Sequence, residues 1–292
     1  MKNSTVLITG ANGFLGQKLS FFLSQHKFNV IATDVGPDQT NITHGHKYIN
    51  LDITNTQDCV QVLDQFQPDF IVNSAAITNV DFCEKNQKKC FAVNSKSIKN
   101  FIPYVQKNNI HFIQISTDFV FEGLNSFYAE DDVCEPVNIY GESKLEAECL
   151  IKKSNILYTI LRPSLLYGIG GKNFLTWSLE QLKNNTDLKI VNDQYRTPTF
   201  ILDLVFAIFQ VINLKKYGIY HISSGECLSI FEIVCNIVNC LDIDHGRIKQ
   251  IKSIELNQIA DRPRNSSLCI DKAIKDLNFQ PTKLKNALSQ IL

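Results

Sequence analysis

Ser4-Thr-Val-Leu-Ile-Thr9, running without a break into Gly10-Ala-Asn-Gly13-Phe-Leu-Gly16, decides how this chain folds. The first six residues are short, apolar and rich in β-branched side chains, as a buried strand requires. Phe14, Leu15, Leu19, Phe22 and Leu23 then recur at helical spacing as far as His26. The reading is strand, tight turn, helix. Three glycines three residues apart suit that turn, because the chain must reverse sharply, admit a pyrophosphate to its backbone, and seat the helix closely on the strand. The helix N-terminus then offers unpaired amides and a partial positive charge to phosphate. A second strand, Asn29-Val-Ile-Ala-Thr-Asp34, ends in an acid eighteen residues after Gly16, where a carboxylate can accept from both adenosine ribose hydroxyls. An acid there disfavours a 2′-phosphate, which makes NADH the simpler expectation and leaves NADPH open.

Working outward, apolar strand candidates recur at Tyr48–Leu51, Asp69–Asn73, His111–Ser116 and Leu157–Arg162, with helical stretches near 56–66, 87–108 and 140–153. This alternation predicts an α/β fold: a doubly wound parallel Rossmann sheet with helices on both faces. Ligands in such folds sit beyond the carboxyl ends of the strands, and the glycines, Asp34, Asn73-Ser-Ala75-Ala76 and Thr117 all fall there. After Pro163 the rhythm changes. The chain is expected to form a dinucleotide-binding domain over 1–167, with 199–222 packing back on it. A smaller C-terminal substrate-binding lobe is expected from 168–198, with a helix near 174–185, together with 223–292.

Tyr140 and Lys144, in Tyr-Gly-Glu-Ser-Lys, are four residues apart on one of these helices, which puts their Cβ atoms about 5–6 Å apart on one face. An ammonium about 4 Å from a phenol favours phenolate by about 4 kcal/mol at an effective dielectric of about 20. That is enough to bring a tyrosine, which titrates near about 10 when free, toward the range of general acid–base catalysis. Burial of either group works the other way.

The 29 basic and 29 acidic residues of the 292 cancel, so no net field draws the chain to nucleic acid or to a membrane surface. The start does not resemble a signal peptide, and the apolar run Phe200–Leu214 carries Asp203, Gln210 and Asn213, which reads as a buried helix. Nine cysteines are scattered without a Cys-x-x-Cys pair, a pattern that fits a reducing cytoplasm better than disulfides or zinc. No metal is expected; His44 and His46 sit in a segment that reads as a surface loop.

Gly10-Ala-Asn-Gly-Phe-Leu-Gly16, Asn73-Ser-Ala-Ala76, Thr117 and Tyr140-Gly-Glu-Ser-Lys144 together resemble the extended short-chain dehydrogenase/reductases. Ser116-Thr-Asp-Phe-Val-Phe-Glu-Gly123, Asn192-Asp-Gln194 with Pro198-Thr199, and Arg262-Pro-Arg-Asn-Ser266 are most similar to the dTDP-4-dehydrorhamnose reductases. The resemblance implies NAD(P)H-dependent reduction of the 4-keto group of a nucleotide-diphosphate 6-deoxysugar, in deoxysugar and cell-surface polysaccharide biosynthesis. It also admits a homodimer. Thr117 would hydrogen-bond the substrate oxygen, Tyr140 would transfer the proton, and Lys144 would hold the nicotinamide ribose. Cofactor contacts would come from Gly10, Asn12, Gly13, Phe14, Leu15, Gly16, Asp34, Asp52, Ile53, Ala75, Ala76, Thr78 and Asn94, besides Tyr140 and Lys144. Thr78, Thr117, Asp118, Phe119, Asn173, Arg196 and Arg262 would meet the substrate, and Arg264 joins the two arginines as a candidate for its diphosphate.

Two departures matter. Leucine stands in the Ser164-Leu165-Leu166-Tyr167 segment where rhamnose-forming reductases usually carry tryptophan, and Arg196 stands where they usually have a small residue, resembling the diphosphate-binding arginine of sugar epimerases. Alternative readings are a nucleotide-sugar epimerase, or a non-catalytic NADP-binding regulatory subunit resembling the beta subunit of methionine adenosyltransferase. A 4,6-dehydratase fits less well, because Phe119 replaces the glutamate that follows Thr-Asp in that family.

Overall fold

Val6 and Ile8 face one apolar cluster while Leu7, between them, faces another, as a strand covered on both sides must arrange its side chains. The computed structural model describes residues 4–40, 42, 46–184, 187–241 and 247–292. From the amino end come β1 (Thr5–Thr9), α1 (Phe14–Gln25), β2 (Asn29–Asp34), β3 (His46–Asn50), α2 (Thr56–Phe66), β4 (Phe70–Asn73), α3 (Val80–Lys85), α4 (Gln87–Asn94), α5 (Ile102–Asn108), β5 (His111–Ile115), α6 (Ile139–Lys153) and β6 (Tyr158–Pro163). Next are β7 (Leu166–Tyr167), α7 (Phe174–Lys183), β8 (Leu188–Val191), β9 (Tyr195–Arg196), β10 (Thr199–Phe200), α8 (Ile201–Leu214) and β11 (Gly218–Ile222). The chain finishes with β12 (Leu228–Ser229), α9 (Ile230–Cys240), β13 (Ile248–Ile251), α10 (Asp271–Leu277) and α11 (Leu284–Ile291).

The main sheet has seven strands in the order β11-β6-β5-β4-β1-β2-β3, and each pairing is parallel. Leu15, Leu19 and Leu23 of α1 and Leu204, Ile208 and Val211 of α8 cover one face. Leu63 of α2, Val105 of α5 and Ala147 and Ile151 of α6 cover the other. This is the expected doubly wound sheet. The strand order reverses between β1 and β4, where a crevice must open beyond the carboxyl ends. The region 199–222 returns to this sheet, with α8 against α1 and β11 as an edge strand beside β6. The other strands form three ladders of two: β10 with β7, β12 with β9, and β13 with β8.

The helix expected over 87–108 is three pieces. Between α4 and α5 lies a 3₁₀ turn, Lys96–Asn100. The Ser95 and Ser97 hydroxyls bond back to Phe91 O and Val93 O, which competes with helix continuation. Pro103 sits in the first turn of α5, where its missing N–H is harmless; deeper in a helix it would break the ladder. The short helix α3 carries no amphipathic run long enough to have been read, and it forms under the cap of Asn79, which accepts from Phe82 N. Residue 185, the last of the expected 174–185 helix, lies outside the described residues.

Candidate active site

In the first βα turn, backbone contacts at Gly10 and Gly16 leave no room for a side chain. Gly10 has φ +69°, and a Cβ there would lie 2.7 Å from Ala75 N. A Cβ on Gly16 would lie 2.1 Å from Gly10 O, so α1 seats on the turn only because that atom is missing. α1 starts at Gly13 without a side-chain cap, leaving its first amides to the crevice. Gly10, Gly13, Phe14, Leu15 and Gly16 line a cleft of about 780 Å³, and Ala76 and Thr78 line it from the β4 side.

Several residues expected at the cofactor also hold the surrounding fold. Asp34 ends β2 and accepts from Asn12 N at 2.9 Å and Val35 N at 2.7 Å, bracing the glycine turn while lone pairs remain on both oxygens. The Asn12 side chain holds the 34–40 loop through Pro37 O, Tyr48 Oη and Gln39 N. Asp52 is exposed and caps Thr54, and Ile53 is core. Ala75 packs on Gly10. Asn94, 1% exposed, clamps the β4 exit to α6: it accepts from Ile77 N, and donates to Ile77 O and to Ser143 Oγ. These five residues and Asp34 stand outside the cleft lining.

Thr117, Tyr140 and Lys144 share the cleft with the glycine turn. Asn138 caps α6 by accepting from Gly141 N at 2.9 Å, so the helix starts where the phenol and the ammonium emerge on one face. Lys144 Nζ donates to Ile115 O, at the end of β5, at 2.6 Å. Burial lowers the lysine to about 8, against the pull of Glu148. The Tyr140 phenol stands above its ordinary value, chiefly through burial, although its hydrogen bond with Thr117 works the other way. The ammonium was expected to lower the phenol; in the folded chain burial is instead the largest influence, and the phenol is held protonated as a donor.

Beside Thr117, Asp118 is 2% exposed and Arg196 3%, and they form an ion pair with Nε 3.8 Å from Oδ2. The guanidinium lies 5.1 Å from the Phe119 ring centre, and that ring meets Tyr140 edge-on at 6.0 Å. Arg262 lines the cleft while pairing with Asp81 of α3 at 2.7 Å. Exposed Arg264 stands in a neighbouring hollow of about 320 Å³ with Lys252 and Arg262. Asn173 lines the cleft as the N-cap of α7, reinforced by Thr176 in a capping box.

The family described as RmlD substrate binding domain matches residues 4–292. The chain belongs to this family. Among similar proteins, the dTDP-4-dehydrorhamnose reductase of Aggregatibacter actinomycetemcomitans is 30% identical over 299 residues, covering 98% of this chain and 97% of that protein. The spore coat polysaccharide biosynthesis protein SpsK of Bacillus subtilis is 33% identical, covering 98% and 96%. The crystal structure of the dTDP-4-dehydrorhamnose reductase of Bacillus anthracis in complex with NADP superposes with a TM-score of 0.88 at 28% identity, covering 99% of this chain and 98% of that one.

In this RmlD-family chain the cleft also holds residues that the sequence did not single out. Trp177 is 43% exposed and lines the cleft with Lys172, Lys189 and Gln258, beside Gln194 of the Asn192-Asp-Gln194 motif. Trp177 lies four residues after Asn173, a spacing that could have revealed it; Gln258 sits in irregular backbone with no local pattern to read. Leu165 and Leu166 do line the cleft. Among the described residues no group of three or more His, Cys, Asp or Glu side chains could hold a metal ion, and His44 lies outside them. No helix among them is long and apolar enough to cross a membrane.

Proposed function

We propose that this chain reduces the 4-keto group of a nucleotide-diphosphate 6-deoxysugar with NAD(P)H, as a dTDP-4-dehydrorhamnose reductase does. The observation that carries the reading is the convergence of Thr117, Tyr140 and Lys144 on the cleft that the glycine turn lines. A dinucleotide fits that turn: α1 offers uncapped amides, and the Gly13 Cβ position has no neighbour nearer than Gly10 O at 3.1 Å. Gly10, Gly13, Phe14, Leu15, Ala76 and Thr78 would hold it, with Asp34 beside the adenosine ribose. When bound, the nicotinamide supplies a hydride to the carbonyl carbon. Tyr140 gives its proton to the carbonyl oxygen, and the raised phenol keeps that proton in place until the oxygen becomes negative. Thr117 donates a hydrogen bond to the same oxygen. Lys144, fixed by Ile115 O, holds the ribose and places positive charge behind the phenol as it ionises.

Phe119, Arg262 and Asn173 face the sugar nucleotide, with Arg262 the best placed of the three arginines for the diphosphate. Residues 168–198 and 223–292 form the substrate lobe, and the enzyme works in the cytoplasm. The relatives named above favour reduction over the epimerase and regulatory-subunit readings. The test mixes purified protein with NADH or NADPH and a panel of 4-keto dTDP-, GDP- and UDP-sugars, following nicotinamide absorbance. Stoichiometric oxidation with one sugar nucleotide is expected. Isomerised sugar without oxidation, or tight dinucleotide binding without turnover, would overturn the proposal.

A further inference from the structure

Asp118 is the most heavily engaged carboxylate at the cleft. It accepts from Ser164 Oγ at 2.8 Å, from Ser266 Oγ, and from the adjacent Thr117 Oγ1 at 3.2 Å, while Arg196 Nε stands 3.8 Å away. Arg196 is held as firmly: Nη1 donates to Tyr195 O at 2.6 Å and the guanidinium lies on Phe119. A side chain so anchored, and 3% exposed, serves the turn that carries Thr117 while also lining the cleft.

Thr117 has one hydroxyl proton, which Asp118, the Tyr140 phenol and a substrate oxygen can each claim. If the proton goes to Asp118, it is not available to a substrate oxygen. A buried carboxylate lacking a counter-charge draws a neighbouring donor strongly. One that is neutralised by a guanidinium, and already takes two serine hydroxyls, draws it less. We propose that Arg196 is a positioning residue which, by neutralising Asp118, leaves the Thr117 proton free for the substrate carbonyl. This rests on the reading of Thr117 as the donor to that oxygen. Arg196 acts through Asp118 and touches no reacting atom.

The experiment compares steady-state kinetics of the full chain with NADPH and the turned-over 4-keto sugar nucleotide in Arg196→Met, Asp118→Asn, the double variant, Arg196→Lys and Thr117→Val. Arg196→Met is expected to lower kcat about tenfold, with KM within about twofold. Adding Asp118→Asn to it should restore kcat to within about threefold of wild type, because an amide no longer competes as a charge. A purely structural arginine would give no such rescue. A rise in KM at constant kcat, or a double variant no better than Arg196→Met, overturns the inference. Should Arg196→Met fail to fold, Arg196→Lys decides: kcat within about threefold of wild type is expected, and a loss of about tenfold or more with unchanged NADPH affinity overturns it. Full activity in Thr117→Val would sink the reading of Thr117 itself. A large loss there beside an unaffected Arg196→Met would sink the arginine's role alone.

Discussion

The two walls of the cleft are made of different material. On the dinucleotide wall the geometry lies in backbone: a left-handed Gly10, an absent Cβ at Gly16, and uncapped amides at the start of α1. On the sugar wall it lies in side-chain pairs drawn from distant segments, Asp118 with Arg196 and Ser266, and Asp81 with Arg262. Backbone geometry is written in consecutive residues and tolerates little change. Side-chain pairs can be exchanged one at a time, which allows one wall to stay constant while the other accepts a different sugar.

The largest effect is expected where the walls meet. Tyr140→Phe removes the transferable proton and should lower kcat about 10²- to 10⁴-fold while NADPH affinity, measured by fluorescence titration, stays within about twofold; normal turnover would remove the phenol from the mechanism. On the backbone wall, Gly16→Val drives a Cβ to 2.1 Å from Gly10 O and should cost about 3 kcal/mol or more in urea unfolding, with loss of dinucleotide binding. An unchanged urea midpoint would show that the turn can yield.

Lys144 provides a pH test. Its folded value, about 8 against an ordinary 10.5, means that the unfolded chain binds the extra proton between those limits. Stability conferred by this site is therefore least below about pH 8, rises with pH up to about 10.5, and is flat beyond. Wild type should gain on the order of 3 kcal/mol over Lys144→Met across that window, read from paired urea titrations; a constant difference would show that the ammonium is not desolvated. The smallest effect belongs to the sugar wall. Arg262→Ala should raise the KM for the sugar nucleotide about tenfold with kcat little changed, and a selective loss of kcat would move this arginine toward the reacting carbon.

The same division governs what the sequence could tell. The parallel sheet, the glycine turn and the Tyr140–Lys144 face were legible because each is a local repeat whose period states its geometry. The broken 87–108 helix was not, since Ser95 and Ser97 act through bonds that compete with the ladder only once the chain has turned. Asn94, Asn12 and Asp52 were expected at the cofactor, and the loops they hold were not foreseen; an amide or carboxylate reads the same in sequence whichever partner it finds. The phenol moved opposite to expectation because spacing reports which charge is near and says nothing about how much water has gone. Trp177 and Gln258 reach the cleft through the path of the chain after Pro163, which no periodicity describes.

The bond from Lys144 Nζ to the carbonyl of Ile115 couples the reaction centre to the middle of the sheet. Because the ammonium takes its position from a central strand, small volume changes in the apolar layer beneath that strand should misplace the charge before they weaken the fold. Residues such as Phe112 and Ile113, outside the cleft lining, would then behave in a genetic screen as if they belonged to the chemistry.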